Sequence, residues 1–325
     1  MIPVLPLTQS LHPSPIPLLL ARDVSGVRLD REAAAGRLAV VRAGVFAPAD
    51  AWRELAPWDR YLARVHAVAR QQPEAVFSHE SAAALLGLPV FGDPGTVHVL
   101  SGHGTAREVA GIRVHTTTDA RELVDIGGVL VAAPVEVTVD LARGRHPAVA
   151  LAVADAVLRL DPLASVEQLV ARNEARSSSR GRKRARWVLH RADARAATAL
   201  ESVSRAVVEW LGFPEPELQI GVATGIGEFV LDLGWPDVGV GGETDGRLKY
   251  DGRYGDPADV LRREKQREDA LRRELTGLAR WGWAELREPM ALRRILLSAG
   301  LTPVRPIRSD ALFSLRAALA GGATP

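Results

Sequence analysis

Glu228-Phe-Val-Leu-Asp-Leu-Gly-Trp235, the turn Pro236-Asp237 and the return Val238-Gly-Val-Gly-Gly-Glu-Thr-Asp245 form the stretch on which the reading of this chain turns. Phe229, Leu231 and Leu233 alternate with Val230 and Asp232, the period of a strand whose two faces differ. The return strand puts Glu243 and Asp245 on one face and turns Thr244 away. Gly239, Gly241 and Gly242 predict a loosely packed return strand. Asp232 stands among Phe, Val and Leu, where a purely structural strand would carry another aliphatic residue. Half-buried carboxylates on adjacent strands are costly unless they are paired or bound to a cation.

Working outward, a helix is expected from near Ala196 to Gly212, carrying Glu201, Ser204, Arg205 and Glu209. The Phe213-Pro-Glu-Pro216 turn leads into a strand with Gln219. Downstream come a helix from about Pro257, a strand over Leu278–Trp283 and an amphipathic helix over Glu285–Ser298. A hard-oxygen site for Mg2+ or Mn2+ is built from one or two carboxylates, waters and a substrate phosphate. Asp232 and Glu243 are the expected pair, with Glu201 from the helix and Asp245 as further metal-ligand candidates. Lys249 and Lys265, the only lysines in this domain, are candidates to orient the attacking water.

Upstream, the charge is unevenly spread. Residues 171–195 hold 9 basic and 2 acidic side chains, although the 325-residue chain carries a net charge of only +2. Arg180, Arg182, Lys183, Arg184 and Arg186 read as a phosphate-contacting linker, since arginine forks bind phosphate bidentately. Short helices over residues 16–24 and Leu29–Ala35, then strands Leu38–Val41 and Val45–Ala47 around Arg42-Ala-Gly44, give the layout of a winged helix-turn-helix. Arg28, Arg31, Arg37 and Arg42 would then face DNA. Residues 57–170 read as α+β, with a helix over Trp58–Arg70, Ser78 capping a helix through Leu86, strands at Val97–Leu100, Ile112–His115 and Val129–Ala132, and a helix over Val149–Arg159. His66, His79, His98, His103 and His115 show no ligand spacing and read as surface or half-buried histidines.

The fold class expected is α+β multidomain. It comprises a tail (1–15), a winged-helix module (16–56), a middle α+β domain (57–170), a basic linker (171–195), an α/β domain (196–300) and a C-terminal tail (301–325). The absence of cysteine excludes disulfides, thiolate metal sites and a cysteine nucleophile. No apolar run approaches the roughly 18 residues that span a bilayer, and the proline-rich start is unlike a signal peptide, so a cytoplasmic protein without membrane contact is expected.

Residues 198–283 resemble the nuclease-like domains of the PD-(D/E)XK superfamily, near the very-short-patch-repair-like endonucleases. The resemblance rests on Glu201-Ser-Val-Ser-Arg205, Pro214 to Gln219, Val230-Leu-Asp-Leu-Gly-Trp235, Glu243-Thr-Asp-Gly246, Lys249-Tyr250 and Glu264-Lys-Gln-Arg-Glu-Asp269. It implies a restriction-endonuclease-like fold, Mg2+-dependent hydrolysis of DNA, and roles for Asp232, Glu243 and Glu201 as the motif acids. Asp245 stands where that motif expects lysine, so Lys249 or Lys265 would act as a migrated lysine. Residues 16–160 resemble the N-terminal part of AbiEi-type antitoxins through Gly36-Arg-Leu38, Gly44-Val-Phe46 and Ser78-His-Glu-Ser-Ala82. That resemblance implies a transcriptional regulator, with a cognate toxin or defence-system partner. The alternative function is therefore a non-enzymatic DNA-binding regulator with an inactive nuclease fold.

Overall fold

The computed structural model describes residues 4–6, 10–245 and 257–320. The chain divides into two compact units. Unit 1 takes Met1–Arg145, Asp161–His190 and Ala317–Thr324, and unit 2 takes His146–Leu160 and Arg191–Arg316. The architecture is α+β, and none of the described helices is long and apolar enough to cross a membrane.

Unit 1 begins with β1 (Val4–Pro6), β2 (Leu19–Leu20), α1 (Leu29–Ala34), β3 (Leu38–Arg42), β4 (Val45–Pro48), α2 (Ala49–Glu54) and α3 (Pro57–Gln71). It continues with β5 (Val76–Phe77), α4 (His79–Leu85), β6 (Val97–Ser101), β7 (Arg107–Val109), β8 (Ile112–Thr116), β9 (Leu123–Ile126), β10 (Val129–Ala132) and α5 (Pro134–Gly144). The helix expected over residues 16–24 does not form. Pro13, Pro15 and Pro17 disfavour it, and Leu19 and Leu20 pair antiparallel with Phe46 and Val45 in the sheet β2-β4-β3. Leu18 and Leu20 thereby bury against Val41, Val45, Ala47, Ala63 and Ala67. Among the described residues only α1 precedes the hairpin, and residues 16–24 do not supply the first helix of the expected helix-turn-helix. The segment expected as a tail supplies β1, parallel to β9 at the edge of the mixed sheet β1-β9-β10-β5-β6-β8-β7. That sheet sets His98 beside Arg113 and Leu100 beside His115 in the parallel β6–β8 register.

The chain then contributes α6 (Pro147–Leu160) to unit 2 and returns to unit 1 for α7 (Val166–Ala175) and α8 (Arg182–Leu189). The segment expected as a basic linker is thus largely helical. Ala185, Val188 and Leu189 are the buried positions of α8, at helical spacing.

Unit 2 is completed by α9 (Ala199–Trp210), β11 (Glu217–Thr224), β12 (Gly227–Trp235), β13 (Val240–Thr244), α10 (Pro257–Glu274), β14 (Gly277–Trp281), α11 (Trp283–Arg287), α12 (Pro289–Ser298) and the short helix α13 (Ser309–Phe313). Its sheet runs β11-β12-β13-β14, antiparallel except for the last pair, which is parallel with α10 as the crossover. Leu231, Leu271 and Leu278 form a core with Ile220, Phe229 and Leu275. The return strand is tight where the glycines predicted looseness. A Cβ on Gly241 would lie 2.5 Å from Leu231 Cδ1, and one on Gly242 would lie 2.7 Å from the Trp281 ring. Pro289 splits the last expected helix into α11 and α12. The expected C-terminal tail is anchored too, because Val304 and Arg305 donate N–H bonds to the Gly212 carbonyl.

Helix α9 is fixed by a buried ion pair. Arg205 Nη1 lies 3.2 Å from Asp155 Oδ2 on α6, and Asp155 Oδ1 accepts the Asp193 N–H at 2.8 Å. Burial pushes the Asp155 carboxyl up to about 6 even though Arg205 opposes it. A raised folded-state pKa means the native protein holds a proton that the unfolded chain has released. Stability contributed by Asp155 is therefore present below about pH 4, falls as pH rises towards about 6 and is level above it. Asp155→Asn should flatten that part of the pH–stability curve of unit 2, a change of about 3 kcal/mol at most. Urea unfolding at a series of pH values checks this, and an unchanged curve would contradict it.

Candidate functional site

In unit 2 the sequence places two acids in one corner. Thr198 caps α9 by accepting the Glu201 N–H, and its hydroxyl donates back to Glu201 Oε1 at 2.9 Å. Glu201 Oε2 accepts the Ala197 N–H at 2.9 Å and the Gln219 amide at 3.1 Å. Gln219 can reach it because of a local irregularity. The β11–β12 register runs Leu218↔Leu233 and Ile220↔Leu231, with Gln219 between them at φ +55, in the left-handed region that non-glycine residues rarely enter. Asp232 is its opposite number, and Asp232 Oδ2 accepts both the N–H and the hydroxyl of Thr244, each at 2.8 Å. Glu201 is 2% exposed. Burial and, among the other influences, the negative charge of Asp232 raise its carboxyl above the ordinary range. Among the described residues, no arginine or lysine pairs with Glu201 or Asp232.

Glu243 does not join them. Neighbours on a strand point to opposite faces, so with Thr244 turned to Asp232, Glu243 turns to α10. Its Oε2 accepts from Arg280 Nε and Nη2 at 2.7 and 2.6 Å, and Arg267 Nη2 lies 2.5 Å from Oε1. Arg280, its partner in the β13–β14 register, also reaches Glu264 and Glu268. Glu201, Asp232 and Glu243 therefore do not bring three ligand atoms within 4.8 Å of one another; among the described residues only His79, His98 and His115 do so. Asp245 is exposed, with its N–H donated to the Trp281 carbonyl. Lys265 is exposed on α10, and it is Arg267, two residues on, that reaches Glu243. Lys249 lies outside the described residues.

The expected DNA-contacting arginines differ in how free they are. Arg28 and Arg31 are exposed, Arg37 is paired with Glu32 at 2.5 Å, and Arg42 is half-buried. In the basic segment Arg186 grips Glu174 through two bonds of 2.8 and 2.6 Å, and Arg182 donates to the Arg176 carbonyl. Arg180, Lys183 and Arg184 are exposed.

Sequence spacing missed the histidine cluster, whose members come from α4, β6 and β8. His98 Nδ1 and His115 Nε2 are 2.8 Å apart, and the His79 and His115 rings stack at 4.0 Å between centroids. Burial holds His98 down at about 4 and lowers His79 and His115 as well, so the three imidazoles are neutral near pH 7. Beside them Arg121 and Arg176 enclose Glu136 and Asp140, all four of them largely buried. Burial raises the Asp140 carboxyl to about 6.

The chain matches no established family model. It is 36% identical over 187 residues to two proteins of Mycobacterium tuberculosis, Uncharacterized protein MT2308 and Uncharacterized protein Rv2248. That match covers 56% of this chain, which in turn spans 65% of the length of each relative.

The Glu201–Asp232 coupling is directly measurable. Removing a like charge favours ionisation, so Asp232→Asn should lower the Glu201 carboxyl towards its ordinary value. Carbon-detected NMR titration of the glutamate side chains reads this shift. A Glu201 titration identical in both proteins would show that the two groups do not share a field.

Proposed function

We propose that unit 2 is a nuclease-like domain that hydrolyses phosphodiester bonds of DNA with Mg2+ or Mn2+. The observation that carries this reading is the placement of buried Glu201 and half-buried Asp232 about Gln219, with no basic side chain among the described residues to neutralise them. Their donor set, all oxygen, suits a hard cation and a substrate phosphate. Burial and, after it, the negative charge of Asp232 raise the Glu201 carboxyl, and a cation would compensate that charge. Such a cation would supply activation of water and neutralisation of the charge that develops on the phosphate. The chain's own part is positional. Thr198 and Gln219 orient Glu201, Thr244 orients Asp232, and the Arg205–Asp155 pair fixes the helix that carries Glu201. The order helix, three antiparallel strands, crossover helix and parallel strand supports the restriction-endonuclease-like reading of residues 196–300. Arg180, Lys183 and Arg184 are the cations available to a DNA backbone, and Arg28 and Arg31 those of the N-terminal module.

A second reading has its own observation. Glu243 is neutralised by Arg267 and Arg280, and Asp245 occupies the position of the motif lysine. This suits a non-enzymatic regulator of the AbiEi antitoxin kind, with an inactive nuclease fold kept for DNA binding and a toxin as partner.

Two measurements decide between them. Purified protein should nick or cut supercoiled, linear or single-stranded DNA with Mg2+ or Mn2+, stop with EDTA, and lose at least a hundredfold in rate on Asp232→Ala. If no substrate is cut, or Asp232→Ala cuts equally well, the regulator reading replaces the enzyme. Replacing Arg180, Lys183 and Arg184 with serine should weaken binding to all duplexes alike. It should also flatten the log–log salt slope by about 0.9 for every DNA phosphate that the variant no longer neutralises. A slope that does not move would remove this segment from the interface.

A further inference from the structure

We propose that His79, His98 and His115 form a site in unit 1 for one divalent transition-metal ion, with Zn2+ as the first choice. One nitrogen from each ring falls within 4.8 Å of the other two, and no ion is needed to bring them there. Imidazole nitrogen favours zinc, copper, nickel or iron over magnesium, so this site is chemically separate from the carboxylate corner of unit 2 and does not rest on the nuclease reading.

The surroundings carry the argument further. A histidine that binds metal through one nitrogen usually donates its other N–H to a carboxylate or carbonyl. Here Glu80 Oε2 lies 3.6 Å from His98 Nε2, and Asp140 Oδ2 lies 4.0 Å from His79 Nδ1. Both oxygens are buried, and neither has a hydrogen-bond partner. The opposite oxygen of each acid is anchored by arginine: Arg145 holds Glu80 Oε1, while Arg121 and Arg176 hold Asp140 Oδ1. Unsatisfied buried carboxylate oxygens are expensive. Glu80 Oε2 faces the His98 nitrogen opposite the one that meets His115, and Asp140 Oδ2 faces His79 Nδ1, which also lies 3.1 Å from Ser78 Oγ.

The spacing agrees. His98 Nδ1 and His115 Nε2 face each other at 2.8 Å. Tetrahedral zinc, with bonds of about 2.0–2.1 Å, separates its ligand nitrogens by about 3.3 Å. The two nitrogens of an imidazole point to roughly opposite sides, so parting the rings by half an ångström carries His98 Nε2 towards Glu80 Oε2. His98 would then carry its proton on Nε2 and His115 on Nδ1, with a lone pair left on each facing nitrogen. His79 is placed at the cost of a left-handed backbone, φ +48, at the first position of α4. Three protein ligands leave a fourth position for water or a small anionic ligand.

Tag-free full-length protein, stripped with EDTA and dialysed, is titrated with Zn2+ by calorimetry and with Co2+ by visible absorption. The expected result is one equivalent of Zn2+ per chain and a Co2+ spectrum of four-coordinate nitrogen character that Zn2+ bleaches. His115→Gln should abolish both while the far-ultraviolet dichroism stays native. Glu80→Gln, which keeps all three ligands, should weaken Zn2+ by about tenfold to a hundredfold. If His115→Gln fails to fold, the Co2+ spectrum of the parent together with the Glu80→Gln affinity decides. Absence of stoichiometric binding, or binding that His115→Gln and Glu80→Gln both leave unchanged, overturns the proposal. Either outcome leaves the DNA-cleavage result of Asp232→Ala untouched.

Discussion

The buried pair of Arg205 and Asp155 is the contact on which unit 2 depends. Asp155 arrives on α6, a helix that interrupts the sequence of unit 1, and it receives both the Arg205 guanidinium and the Asp193 N–H. Taking two charges out of water costs several kcal/mol per ion, and only good geometry with further hydrogen bonds recovers that cost. Such a pair contributes little net stability, yet removing either partner alone strands the other. It therefore acts as a register pin. It fixes where α9 lies, and with α9 the position of Glu201.

The same logic sorts the acidic residues by availability. Glu243 is neutralised by Arg267 and Arg280, and Glu136 by Arg121 and Arg176, so these acids belong to the scaffold. Glu201 and Asp232 are held instead by neutral donors, Thr198, Gln219, the Ala197 N–H and Thr244. Neutral donors orient a carboxylate without cancelling its charge. This difference, more than the presence of an acid at a motif position, separates a carboxylate that can receive a cation from one that is already satisfied.

The two units thus present different donor chemistry. The corner in unit 2 offers oxygen alone, while the cluster in unit 1 offers three neutral imidazoles backed by two carboxylates whose facing oxygens lack a partner. Each arrangement relies on a residue in the left-handed backbone region, Gln219 in one and His79 in the other. Strain of that kind costs on the order of 1–3 kcal/mol and persists only where the surrounding structure enforces it.

By itself the sequence determined the elements with strong periodicity. The strand with Asp232, the helix with Glu201, the helix Pro57–Gln71 and the strands with His98 and His115 all follow from local pattern, because alternation and helical period are carried by neighbours in the chain. Residues 16–24 were not legible, since their strand exists only through pairing with Val45 and Phe46. Nor was the role of Gly241 and Gly242, whose missing Cβ atoms make room for Leu231 and Trp281 from other strands. Tertiary structure alone decided which side chains meet. It sent Glu243 to Arg267 and Arg280 rather than to Asp232, because Thr244 took the Asp232 face and strand neighbours must diverge. It gathered His79, His98 and His115 from three elements, because the parallel β6–β8 register and the turn after β5, neither encoded in any local spacing, bring them to one place.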